Sequence, residues 1–147
     1  MNPPKPTRVV CAGFVVLALV TAACSSSSQS GRAAPGAREV NVKVRDFQIK
    51  VPRHIAAGDV VFRVRNAGPD THELILVRSD GKQLPLRADD LTIDEDALKP
   101  RTVSLLDDDL PGGERDWKVR LTPGRYVLIC NMSGHYLGGM HAQVVVR

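Results

Sequence analysis

The chain has 147 residues, which suits one domain with short additions. Aromatic residues make up only 4% of it, so a core has to be built mainly from Val, Leu and Ile. The net charge of +4 falls to +2 if Lys5 and Arg8 leave with an export signal, and a chain so nearly balanced excludes nucleic acid as the expected partner.

Residues 1–23 read as that signal. Lys5 and Arg8 form a basic start, and Val9 to Val20 is an apolar run too short to span a bilayer comfortably. Thr21-Ala22-Ala23-Cys24 then resembles a bacterial lipobox, with Thr21 where Leu is usual. The lipoprotein reading makes Cys24 the lipidated N-terminus; the plainer alternative is an ordinary cleavable signal with Cys24 incidental. Residues 24–38 are rich in Ser, Gly, Ala and Pro and read as a flexible tether. Residues 39–147 are left as the folded domain.

Within that domain the apolar period is two. Val40, Val42 and Val44 alternate with polar residues, and Phe47, Ile49 and Val51 continue the pattern on a second short strand closed by Pro52. His54 falls in a polar turn and is assigned nothing. Ala57-Gly58-Asp59 reads as a turn into a strand carrying Val60, Phe62 and Val64. Asn66 to Asp70 is dense in turn residues, and His72 to Val77 is the next strand. One helix is expected over Thr92 to Lys99, with Thr92 and Glu95 as a capping box and Pro100 as the stop. The acidic residues Asp89, Asp90, Asp94, Glu95 and Asp96 read first as a solvated face and second as a docking patch. Strand patterns return at Thr102 to Leu106, Trp117 to Leu121, Tyr126 to Cys130 and His141 to Arg147. About eight short strands and one short helix give an all-β sandwich.

The chemistry gathers near the C-terminus. Alternation puts Tyr126, Leu128 and Cys130 on one buried face, so the cysteine ends a strand just where a loop begins. His135 follows Cys130 by five residues, and Met140 follows His135 by five. Gly134, Gly138 and Gly139 let the loop turn tightly. His72 has to come from a neighbouring strand. Taken alone, Cys130 also reads as a buried structural thiol, which the spaced His135 and Met140 argue against, and Met132 is a rival to Met140. Together, one Cys, two His and one Met form the ligand set of a blue copper centre, with the thioether as a weak axial donor. His141 should face away from such a centre. Trp117 and Tyr126 read as core aromatics, and Tyr136 and Leu137 as rim contacts for a redox partner or as loop filling.

From about Val40 to Arg147 these features resemble the cupredoxins, the small blue-copper family. The matching elements are His72 opening a strand, Tyr126-x3-Cys130-x4-His135-x4-Met140, and the phrases Ala57-Gly-Asp-Val-Val-Phe62 and Pro123-Gly-Arg-Tyr126. The resemblance implies a Greek-key β-sandwich holding one copper ion. It makes His72, Cys130 and His135 the strong ligands and Met140 the axial one. Electrons would leave by the edge of His135 through an apolar patch. Many members carry Asn after the upstream histidine to brace the cysteine loop, whereas this chain has Glu73. The expected function is single-electron transport between membrane-associated redox proteins by an extracytoplasmic, lipid-anchored monomer; copper buffering or delivery is the alternative. An enzyme is not expected. No His-x-His pair is present to build a second copper centre, and only Cys130 is available where a dinuclear centre needs two close cysteines.

Overall fold

The computed structural model describes residues 36–109 and 111–147. The expected signal over 1–23, Cys24 and most of the tether lie outside the described residues.

The alternating valines form β1 (Arg38–Arg45) with its even-numbered side chains from Val40 to Val44 inward. β2 (Gln48–Lys50) and β3 (His54–Ile55) are short, and β4 (Gly58–Asn66) carries Val60, Phe62 and Val64 into the same core. Next come β5 (His72–Arg78), helix α1 (Glu95–Leu98), β6 (Thr102–Asp109), β7 (Glu114–Leu121), β8 (Gly124–Cys130) and β9 (His141–Val146). One sheet has the order β2-β1-β4-β7 and the other β3-β9-β8-β5-β6. The chain passes repeatedly between the two, as a Greek-key sandwich requires. Nine strands are present among the described residues, one more than expected. The extra one is β3, where His54 opens a two-residue strand beside β9 instead of lying in a turn.

The main core is the set of inward side chains between the sheets, with Phe62, Leu74, Leu76, Tyr126 and Leu128 among the most buried. Tyr126 donates its hydroxyl to the Thr122 carbonyl at 2.7 Å, so this buried aromatic is satisfied. A second cluster explains why β5 is apolar on both faces. Ile75, Val77 and Ile129 point outward from the five-stranded sheet and are covered by Leu84, Ile93 and Leu98 from the segment between β5 and β6.

Two further sequence expectations are corrected by the structure. The helix starts later than Thr92, because Asp94 is the cap and accepts from the Ala97 N–H at 3.1 Å. Thr92 turns to Asp89 instead. The second correction is Phe47, which is not an inward strand residue. It sits at the β1–β2 turn with a positive φ of 60° and is 51% exposed. A two-residue turn between antiparallel strands needs left-handed backbone, and here that requirement overrides the apolar alternation.

The covering segment also holds the loop after β8. Asn131 is buried. Its carbonyl accepts from the Ile93 N–H at 2.7 Å, and its amide donates to the Ile93 carbonyl at 3.3 Å and to Glu95 Oε1 at 2.6 Å. Asp94 and Glu95 therefore act structurally, as does exposed Asp89, whose Oδ1 accepts from the Leu91 N–H at 2.9 Å, while Asp90 and Asp96 are exposed.

Leu128→Ala, at a fully buried position, should cost about 2–5 kcal/mol in urea denaturation. Leu137→Ala, at a half-exposed one, should change stability by no more than about 0.5 kcal/mol. Asn131→Ala should cost about 1–3 kcal/mol in the same measurement, because it strands the Ile93 N–H in a buried place.

Candidate metal centre

β5 and β8 are antiparallel neighbours with Leu74 opposite Cys130. His72 opens β5 two residues before Leu74 and so lies at the same end of the sandwich as the cysteine. Its Nδ1 is 3.8 Å from Cys130 Sγ. The loop after β8 then folds back. Successive turn bonds run from His135 N–H to the Met132 carbonyl and from Gly138 N–H to the Gly134 carbonyl, both at 2.9 Å. They bring His135 Nδ1 to 3.6 Å from Cys130 Sγ. The three donor atoms all lie within 4.8 Å of one another.

Met140 is fully buried in the core cluster that includes Cys130. Its main chain closes the loop twice, accepting from the Cys130 N–H at 3.0 Å and donating to the His135 carbonyl at 2.9 Å. The structure thus brings His72, Cys130 and His135 together and packs Met140 in the same core cluster as the cysteine. Met132, the rival, is half-buried against the core, and His141 is exposed beside Tyr136. Glu73 is half-buried, and its carbonyl takes the Asn131 N–H at 3.4 Å.

Burial sets the protonation of the metal-free site. It pushes the Cys130 thiol above its ordinary range, against the opposing pull of the Met132 and Glu73 backbone N–H groups. Burial, followed by the neighbouring His135, lowers the pKa of His72. The site is thus set to hold a neutral thiol and a neutral upstream imidazole, and a cation would reverse that preference by displacing the thiol proton.

The residues present suit a copper ion. Bonds of about 2.0–2.1 Å to nitrogen and about 2.3 Å to sulfur, at angles of about 110–120°, subtend edges close to the observed 3.6 and 3.8 Å. Two imidazoles and a thiolate with a thioether nearby form a soft, nearly trigonal set, which is the preference of copper among the common metals.

Several neighbours of the site carried no sequence signal that was read. The β1–β2 turn sends Asp46 to His72, with Oδ1 at 3.5 Å from Nε2, and Phe47 to His135, with ring centroids 5.1 Å apart. Asp70 Oδ2 is 3.8 Å from His135 Nε2. Gly138 is required by Phe47, since a Cβ there would lie 2.2 Å from its ring. Asn131, adjacent to Cys130, could have been suspected from that adjacency alone.

No family model matches the chain, and no curated protein matches it. Solved structures do. Reduced auracyanin from the photosynthetic bacterium Roseiflexus castenholzii is 18% identical, with a TM-score of 0.55 over 76% of this chain and 99% of that one. Auracyanin A, a "blue" copper protein from the green thermophilic photosynthetic bacterium Chloroflexus aurantiacus, is also 18% identical, with a TM-score of 0.54 over 74% and 99%. Reduced rusticyanin is 19% identical, with a TM-score of 0.53 over 76% and 81%. The chain has the fold of the cupredoxins, and a buried His–Cys–His cluster lies at one end of it.

Proposed function

We propose that this protein is a type 1 copper protein that carries single electrons. The observation that carries the reading is the convergence of His72 Nδ1, Cys130 Sγ and His135 Nδ1, all buried, where β5 and β8 meet a loop closed by its own backbone. Copper in such a set supplies reversible one-electron cycling between Cu(II) and Cu(I). His72, Cys130 and His135 would be the strong ligands, and Met140 the weak axial one. The chain's part is to hold these donors still, because electron transfer is fast when little has to move. The β5–β8 register fixes His72 relative to Cys130, and the two Met140 bonds fix the loop. Burial keeps water and oxidants from the sulfur.

His135 is the least buried of the four, at 9% exposure; exposed Leu137 lies two residues on in the same loop, and exposed Phe47 stands beside His135 from the β1–β2 turn. We assign this end to contact with redox proteins, with His135 as the exit for the electron and Leu137 and Tyr136 at the rim. Export, Cys24 lipidation and anchoring at the outer side of a membrane complete the reading and rest on residues 1–24 of the sequence alone. Blue copper chemistry in auracyanin A, which shares the fold, supports the assignment.

Purified protein loaded with Cu(II) should show an intense visible thiolate-to-copper band and a reversible one-electron wave. Cys130→Ser should abolish the band; its retention would remove the ligand assignment. Met140→Leu should keep the colour and raise the potential, read by voltammetry, because a donor to the oxidised ion is lost. A colourless protein that holds and exchanges Cu(I) would replace the carrier with a copper-handling protein.

A further inference from the structure

The geometry points to Asp46 as a positioning residue for His72, one that fixes the imidazole and biases the site toward its oxidised state. This rests on the copper reading above for the second effect and on the protein alone for the first.

His72 is wholly buried and turns Nδ1 toward Cys130. Its Nε2 therefore points the other way, into the protein, where it has no hydrogen-bond partner of ordinary geometry. A buried imidazole N–H without an acceptor is costly. The carboxylate of Asp46 faces it, with Oδ1 at 3.5 Å. That is slightly long for a formed bond, and a small shift of either group closes it.

Asp46 is not an incidental turn residue in this place. It comes from the opposite sheet, at the turn where β1 pairs with β2. The loop between β4 and β5 is built around it. Asn66, fully buried, donates to the Asp70 carbonyl at 2.7 Å and accepts from the Gly68 N–H at 2.9 Å. Ala67 N–H bonds the Val44 carbonyl at 2.8 Å, which staples this loop to β1. Asp70 N–H then reaches Asp46 Oδ1 at 3.4 Å. Gly68 approaches so closely that a Cβ would lie 2.5 Å from the same oxygen. Two loops are thus shaped to hold one carboxylate behind one histidine.

The chemistry follows. A carboxylate that accepts the remote N–H of a ligating histidine fixes its tautomer and its orientation and strengthens its donor nitrogen. Its negative charge favours the more positive state of the ion by Coulomb attraction. His135 supplies an internal contrast. Asp70 stands behind its Nε2 in the same manner, but at 3.8 Å and with a side chain 54% exposed, against 26% for Asp46. Solvent screens the outer pair more strongly.

The test uses the full chain and the variants Asp46→Asn, Asp46→Ala and Asp70→Asn. In copper-free protein, nitrogen NMR should find His72 as the Nε2–H tautomer, and Asp46→Ala should leave a mixture. A wild-type His72 protonated at Nδ1 would overturn the inference whether or not the variants fold. With copper added, Asp46→Asn should weaken Cu(II) relative to Cu(I) by about 10–100-fold. Each tenfold is a rise of 59 mV in potential. Asp70→Asn should change the ratio less than about threefold. No change in Asp46→Asn, or equal changes in both Asn variants, overturns the inference. If the wild type gives no thiolate-to-copper band, the copper centre is lost as a reading and the tautomer alone decides the role of Asp46.

Discussion

The site depends on the register between β5 and β8. Leu74 stands opposite Cys130, so His72, two residues earlier, emerges at the end of the sheet beside the sulfur. Side chains in a strand alternate, and a slip of one residue would send every side chain of β5 to the other face. Both faces of β5 are buried, so such a slip is opposed twice. Leu74 and Leu76 belong to the core between the sheets, and Ile75 and Val77 to the cluster under the covering segment. Packing far from the donor cluster thereby holds the His72–Cys130 distance inside it.

A second constraint is the dryness of the place. Cys130, His72 and Met140 are fully buried and His135 nearly so. In such surroundings the thiol keeps its proton and the His72 imidazole is held neutral. The loop reaches His135 back to the sulfur by short turns and closes on Met140 through backbone bonds alone. In the β1–β2 turn Phe47 takes up a left-handed backbone that a bulky side chain seldom adopts, and Gly138 of the ligand loop leaves room for its ring. Strain of this kind, kept beside His135, belongs with a functional surface more readily than with a packed core.

Much of this was legible in the residues. The Cys–His–Met spacing is local and could be read directly, and the strand pattern was strong wherever one face is wet, as in β1 and β4. His72 was reachable because it opens a strand in an otherwise apolar run. What could not be read depended on distant pairings. Asp46 and Asp70 meet the histidines only because the β1–β2 turn and the β4–β5 loop dock on each other. Asn131 matters through Ile93 and Glu95, which are over thirty residues away. The helix start was misplaced because Thr92 found Asp89 and left the cap to Asp94. β3 is two residues long and exists only because β9 offers an edge.

The double clasp of Met140 on Cys130 and His135 has a consequence for how an ion would be received. Peptide groups close the loop on Met140, and the Asn131 side chain ties its start to Ile93 and Glu95, so the donors are framed by the chain itself. On the copper reading, the ion would bind into a frame built by the chain's own bonds. In that frame His135 is the least covered of the four side chains, and the half-exposed ring of Phe47 lies beside it.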